Sequence, residues 1–483
     1  MVDSCGSGAD QYFASTKGMC RTCRSLVDAR YIGVQGKLYL ERRCPEHGRS
    51  RALVADSVAW YLDALKFPSA ARPPPCAITK TLPCPEACGP CSFHAQRCNL
   101  PVFSITNACD LRCPICFTFN RSDRLYTMSV QEFQRHIDFV VDRCGAVDLI
   151  NVTGGEPTLH PELMELLKAA QRPEIGRVTV NTNGLRLASD PQLAQRLADS
   201  GAYVVLSLDT LRPETSERIH GRDIVDLKKR ALENLERFKV PTTLLMVMIR
   251  GVNDQELAPI LDLMLQRGFI RSLTIQTMTY TGQGGGVFLP RAHLPVDEVA
   301  RAIDAASQGR IPQRSFFPLP TAHPLCYAVT FLLSDGRGGL YPMTDLASPQ
   351  SVATLLCDGY LPRASEAIEQ EIRSAVDRLW SRGENPALLA AVKQLLQQTF
   401  PSGQALSAHQ RQRLAEPFVK TIYIHAHMDE DTYELGRAIR CPDQVPVDAQ
   451  RLIGACNYNL FYRMRDPRFW VSSSPEEPCH DPG

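Results

Sequence analysis

Three cysteines, Cys109, Cys113 and Cys116, stand with the spacing C-x3-C-x2-C in the stretch PVFSITNACDLRCPICFTF from Pro101 to Phe119. Soft thiolate ligands on one short loop select iron-sulfur or zinc sites. An odd number of ligands leaves one metal position open for a small molecule, the difference between a closed structural site and a catalytic one. A second chemical signature follows at Thr153-Gly154-Gly155-Glu156-Pro157. Gly154 and Gly155 allow backbone to approach a ligand where a Cβ would intrude, and free carbonyls there can accept hydrogen bonds from an ammonium group. Glu156 adds a carboxylate beside the same cation.

Further cysteines are grouped around this loop; twelve of the 18 lie before Phe117. Cys20-Arg-Thr-Cys23 and Cys44-Pro-Glu-His47-Gly48 flank an alternating stretch, LVDARYIGVQGKLYLERR, that reads as a β-hairpin. Two knuckles across a hairpin build rubredoxin-like and zinc-ribbon sites, so Cys20, Cys23, Cys44 and His47 are candidate ligands for one iron or zinc ion, with Cys5 an alternative fourth. Residues 52–66 read as a helix, and the proline run RPPP at 72–75 as a linker. Beyond it, Cys84, Cys88, Cys91 and Cys98 (C-x3-C-x2-C-x6-C) could close an auxiliary iron-sulfur cluster without an outside ligand; a zinc knuckle is the alternative.

The elements that must position these groups alternate strand and helix. Strands are expected at 102–106, 147–152, 177–181, 203–208, 243–249 and 272–276. Helices between them include an amphipathic one from Ser129 to Cys144, with Ser129 as N-cap and Phe133, Ile137 and Val140 on one face. Six βα repeats predict an α/β fold, a partial (βα)6 barrel, whose chemistry collects at the C-terminal strand ends. The cysteine loop, the Gly-Gly-Glu turn, Asn183 and Ser207-Leu208-Asp209 all fall there. The expected organisation is an N-terminal metal module at 1–71, an auxiliary cluster segment at 76–100, the barrel at 101–310 and an α+β C-terminal domain at 311–483. Within the last, two amphipathic helices broken near Gly383 to Pro386 carry Leu388, Val392 and Leu395 as a core stripe.

Apolar residues make up 44% of the 483 and charged residues 22%, enough to bury a large core. The 53 basic and 52 acidic side chains leave no electrostatic footprint for nucleic acid. With no long apolar run and no secretory leader, a cytoplasmic protein is expected, with peripheral membrane access left open. In that reducing compartment clustered cysteines argue for metal rather than disulfides.

The cysteine loop, GGEP, Asn183 and the S-x-D of Ser207 and Asp209 resemble the radical S-adenosylmethionine (SAM) superfamily over about Pro101 to Met278. The resemblance implies a [4Fe-4S] cluster on Cys109, Cys113 and Cys116 whose open iron binds SAM and whose electron cleaves it to a 5'-deoxyadenosyl radical. It also implies that Gly154, Gly155, Glu156, Asn183, Ser207, Asp209 and Arg222 contact SAM, and that a reductant such as flavodoxin or ferredoxin supplies the electron. A narrower resemblance rests on CPEHG, CPEACGPC, HPLCYAVTFLL at 323–333 and IHAHMDEDTYEL at 424–435. These look like the archaeal tetraether lipid synthase group, which includes 7,8-dihydro-6-hydroxymethylpterin methyltransferases. The chain departs from that pattern where Thr321 stands for a cysteine before HPLC and Pro442 for half of a cysteine pair. The remaining Cys326, Cys441 and Cys456 could hold a second auxiliary cluster or be buried thiols.

The expected function is a radical SAM enzyme that abstracts hydrogen from an apolar, lipid-like substrate for carbon-carbon bond formation. The alternatives are a radical SAM methyltransferase acting on a pterin-like small molecule, a peptide maturase, and, outside enzymes, an iron-sulfur electron-transfer scaffold. No cobalamin-binding D-x-H-x-x-G signature is present, so methyl transfer would need another carrier.

Overall fold

A computed structural model describes residues 10–470 except 75–78, 80–83, 87, 90, 119–123, 336–338, 358, 363–364 and 384. The first sheet is antiparallel and runs β1 (Gln11–Met19), β2 (Leu26–Val34), β3 (Lys37–Cys44), β4 (Gly48–Ala55) in sequence order. The expected hairpin is its centre, with Val34 paired to Lys37. Residues 52–55, expected as the start of a helix, belong instead to β4, where Ala52 pairs with Leu40. The helix begins only at Val58, after Ser57 accepts a hydrogen bond from the Trp60 backbone N–H. The run Ala-Leu-Val-Ala suits either period, and the sheet partner decides it.

The second sheet is built on six parallel strands: β5 (Leu100–Thr106), β6 (Ile150–Gly154), β7 (Val178–Thr182), β8 (Tyr203–Ser207), β9 (Thr242–Met248) and β10 (Ile270–Thr277). Each alternates with a period of two. Phe103, Ile150, Val152, Val180, Leu206 and Met246 pack outward into one large core with the surrounding helices. Ser104, Asn151, Asn181, Val205, Ser207 and Val247, from the opposite phase, line the interior. The helix Val130–Cys144 covers β5 with Phe133, Ile137 and Val140, and Ser129 caps it through the Glu132 N–H at 3.2 Å.

The C-terminal residues do not form a separate layer; they extend this sheet from both ends. Beyond β10 come β14 (Val419–His425), parallel to it, and then β12 (Tyr327–Ser334), which is antiparallel and carries the short strands β11 (Phe317–Pro318) and β13 (Leu340–Pro342). Beyond β5 come β15 (Asp443–Asp448), parallel, and β16 (Arg451–Gly454), antiparallel. The twelve-stranded sheet is an open barrel whose two ends are tied by side chains, the Tyr327 hydroxyl donating to Asp443. Helices Glu366–Arg382 and Pro386–Thr399 pack outside, with Leu388, Val392 and Leu395 against Leu333 as core. No helix among the described residues is long and apolar enough to cross a membrane.

Candidate active site in the barrel

The barrel encloses a cavity of about 310 Å³, and Cys109, Cys113 and Cys116 all line it. Their loop is fastened to the end of β6 by backbone: the Gly155 N–H donates to the Thr106 carbonyl at 2.7 Å and the Glu156 N–H to the Ala108 carbonyl at 2.6 Å. This explains the glycine pair differently from the sequence. A Cβ on Gly154, whose φ is +149°, would collide with the Thr106 carbonyl, and one on Gly155 with that of Ala108. The glycines first admit the cysteine loop rather than a ligand. From the other side, the Gly284 N–H donates to the Cys116 carbonyl at 3.1 Å, so the glycine-rich turn at 282–286 also braces the loop.

Burial pushes the Cys109 and Cys113 thiols up to about 12. Bare thiols here would stay protonated, and a metal that takes thiolates reverses that preference. The three sulfurs do not gather within 4.8 Å of one another, whereas the four ligand atoms of the N-terminal module do. Three sulfurs facing one cavity at a wider spread suit a multi-iron cluster better than a single ion.

The neighbouring residues divide into those that face the cavity and those that hold it. Glu156 lines the cavity but is 1% exposed, and its carboxylate is fully engaged. One oxygen accepts from the Thr158 N–H (3.0 Å), the Thr158 hydroxyl (2.6 Å) and the Thr182 hydroxyl (2.7 Å), and the other from the Asn183 N–H (2.7 Å). Burial raises its pKa and these donors oppose the rise. It locks the ends of β6 and β7 together. Asn183 donates to Asp110, inside the cysteine loop, at 2.6 Å. Ser207 lines the cavity while its carbonyl and hydroxyl, with the Asn183 carbonyl, accept from the Lys228 ammonium.

Asp209, expected at a ligand, does not line the cavity. It is buried and occupied by His220 at 3.0 Å and the Val247 N–H at 2.7 Å, tying β8 to β9. Arg222 is exposed on a loop outside the cavity lining. The sequence reading missed Lys228. The signal was a lysine in phase with Val225, Ala231, Leu232 and Leu235, the buried face of its helix.

The cavity wall contributed by the C-terminal strands was missed as well. Gln276, His425 and Tyr327 sit side by side on β10, β14 and β12 and all line the cavity. Tyr327 stacks on His425 with ring centres 3.8 Å apart, and His425 lies 3.9 Å from His427. Burial holds His427 down at about 4 and His425 well below its ordinary value, so both stay neutral. Asp443 accepts from the Tyr327 and Tyr360 hydroxyls, and burial pushes its carboxyl up to about 7. On the other side, Ser104 Oγ and Asn181 Oδ1 are buried with no hydrogen-bond partner among the described residues.

The remaining cysteines fall into three places. In the N-terminal module Cys20, Cys23, Cys44 and His47 converge: Cys23 Sγ is 3.8 Å from Cys44 Sγ, and His47 Nδ1 is 3.4 Å from Cys44 Sγ and 3.7 Å from Cys20 Sγ. Ligands about 2.3 Å from a tetrahedral centre lie about 3.8 Å apart, so the set fits one zinc-sized ion. Cys5 lies outside the described residues. Cys84 and Cys88 both accept from Asn457 Nδ2, at 3.4 and 3.0 Å, and Cys91 is close enough to bear on Cys88. Cys98 is not with them; two residues before β5 begins, it lies in the core beside Cys144, the last residue of the helix Val130–Cys144. Cys326, Cys441 and Cys456 approach one another behind the cavity wall, with Cys456 3.7 Å from His427 Nδ1.

Residues 103–264 match the model of the radical SAM superfamily, and residues 12–56 that of the HMPTM N-terminal zinc ribbon domain. The chain thus carries a radical SAM domain, the catalytic domain of an enzyme, and an N-terminal zinc-ribbon-like module. It is 23% identical, over 93% of its length and 94% of the relative's, to the 7,8-dihydro-6-hydroxymethylpterin dimethyltransferase of Methanocaldococcus jannaschii. A probable GTP 3',8-cyclase of Pyrococcus abyssi is 32% identical over 34% of this chain and 52% of its own length. The crystal structure of Streptococcus suis SuiB bound to S-adenosylmethionine matches 44% of this chain and 48% of its own, with 20% identity and a TM-score of 0.38.

Proposed function

We propose that this radical SAM enzyme modifies a pterin-like small molecule, with methylation as the form of the change, rather than joining lipid chains. The observation that carries this reading is the barrel interior: Ser104 Oγ and Asn181 Oδ1 are buried, unpaired among the described residues, and belong to residues that line the cavity. An alkyl chain would leave those groups unpaired, whereas the polar edge of a heterocycle can meet them. The near full-length similarity to the pterin dimethyltransferase supports the same choice.

Cys109, Cys113 and Cys116 would hold a [4Fe-4S] cluster, which, given one electron by a small flavin or iron-sulfur protein, would supply reductive cleavage of SAM to methionine and a 5'-deoxyadenosyl radical. The chain's own part is positional. Gly154 and Gly155 hold the loop against β6, Glu156 fixes β6 to β7, and Lys228 fixes the ends of β7 and β8. Ser207 and Asn183 stand where they can meet the bound cofactor. Tyr327, His425 and Asp443 form the wall that a heterocycle would contact.

The same reading assigns zinc to Cys20, Cys23, Cys44 and His47, and a further iron-sulfur site to Cys326, Cys441 and Cys456. Arg437 supports the latter. It is 3% exposed, donates to Cys326 Sγ at 3.3 Å and otherwise to carbonyls, and has no carboxylate ion pair among the described residues. A buried guanidinium beside neutral thiols would lack a counter-charge, which thiolates on a metal provide. Cys84, Cys88 and Cys91 remain candidate ligands for another.

The test is anaerobic incubation of the reconstituted protein with SAM, a strong reductant and 7,8-dihydro-6-hydroxymethylpterin, with a protein-free small-molecule extract of cells as source of a one-carbon donor other than the SAM that is cleaved. Mass spectrometry should find 5'-deoxyadenosine together with a pterin heavier by a methyl group. Abundant 5'-deoxyadenosine with unaltered pterin would remove the pterin reading.

A further inference from the structure

Three arginines are buried among the described residues, and two of them are held at their terminal nitrogens, although Arg42 leaves its Nε unpaired. Arg42 donates to the Met19 and Glu430 carbonyls and to Asp431, and Arg437 to Cys326 Sγ and three carbonyls. Arg463 differs. It is 5% exposed, lines the barrel cavity, and has neither an ion pair nor a side-chain hydrogen bond among the described residues; its Nε and one terminal nitrogen are buried and unpaired. Its guanidinium lies over the face of Phe469, 5.1 Å from the ring centre. A guanidinium cannot lose its proton to escape burial, so an uncompensated one is expensive unless an anion meets it. Arg463 sits in a turn at 463–465 directly after the helical residues 458–462, whose Tyr458 and Asn459 line the same cavity. The position is therefore built by the segment that closes the cavity, not left over on a free surface.

We propose that Arg463 is the anion seat of the barrel cavity, pairing through its planar fork with two oxygens of a carboxylate or phosphate on a molecule bound there. That geometry is the one in which arginine binds such groups two-pronged. The anion has two possible sources, the carboxylate of SAM and an anionic group on the second substrate. The SAM arm stands on the radical SAM assignment alone, and the substrate arm rests on the pterin reading above.

The experiment compares reconstituted wild type with Arg463→Gln and Arg463→Lys, with iron content and thermal midpoint as folding controls. Equilibrium dialysis measures binding of SAM and of decarboxylated SAM, and of 6-hydroxymethylpterin with and without a phosphate ester. If the anion is the SAM carboxylate, Arg463→Gln weakens SAM roughly 10- to 100-fold while decarboxylated SAM, already weak, is unchanged. If it belongs to the substrate, the variant erases a preference of similar size for the phosphorylated pterin and leaves SAM alone. Arg463→Lys keeps the charge but loses the fork, and should fall between; it also carries the test if the glutamine variant does not fold. SAM and both pterins binding within twofold of wild type in both variants would overturn the inference. SAM weakened by Arg463→Gln with no pterin bound by either protein would keep the inference and remove the pterin reading.

Discussion

The two metal-binding regions use the same side chain to opposite ends. In the N-terminal module, three cysteines and a histidine from two tight turns bring four ligand atoms within 4.8 Å, and the β-sheet between the turns fixes them there. Nothing is left open, which is the signature of a structural site. In the barrel, three cysteines sit on one loop whose backbone is clamped from behind by β6 and by the turn at 282–286, and their sulfurs face a cavity. A metal centre becomes reactive when the fold anchors its loop through the backbone and leaves the ligand side vacant. The zinc-ribbon module still matters to the barrel. Arg42 on β3 reaches Asp431, and Glu434 accepts from Thr16 and Tyr31, so the module rests on the segment carrying His425 and His427.

The contrast predicts which changes are severe. Cys113→Ala should reduce 5'-deoxyadenosine formation to background while the N-terminal module keeps one equivalent of zinc; metal analysis beside product chromatography checks both. Gly155→Ala should come next, because its Cβ would strike the Ala108 carbonyl and displace the cysteine loop. Cleavage should fall by roughly 10- to 100-fold with lower iron content, a cost typical of groups that hold metal ligands in place. Lys228→Met strips the Asn183 and Ser207 carbonyls of their donor, and should cost about 1–3 kcal/mol in denaturant unfolding together with a raised KM for SAM. Cys44→Ser should lose zinc and several degrees of thermal midpoint, yet leave the cleavage rate per barrel cluster within about threefold. A collapse of cleavage there would mean that the two regions are not as separable as their geometry implies. Arg222→Ala, exposed and outside the cavity, should change stability by no more than about 0.5 kcal/mol and leave SAM affinity unchanged.

The six parallel strands and the helix capped by Ser129 were legible because their buried faces repeat with periods of two and about 3.6. The metal module was legible because its ligands lie on short turns joined by one hairpin. Other features depend on partners distant in sequence. Ala52 to Ala55 became a strand only because β3 offered an edge. Asp209 looked like a ligand residue until His220 and Val247 came to occupy it. The Gly-Gly pair was recognised, but its immediate reason, the carbonyls of Thr106 and Ala108 some fifty residues earlier, appears only in three dimensions. The cavity wall was least legible of all. Tyr327, His425, Asp443 and Arg463 reach the barrel from a region that reads as a separate domain, since no local pattern records that its strands join both ends of the same sheet.

In the proposed mechanism the cysteine loop in the barrel, and not another metal site, is the open centre that meets SAM. Electron paramagnetic resonance of the reduced, reconstituted protein tests it directly, with SAM added to wild type and to Cys113→Ala. SAM should change the wild-type cluster signal, and this SAM-responsive component should be missing from the variant. A signal insensitive to SAM in wild type, or a SAM-induced change that survives in Cys113→Ala, would contradict it.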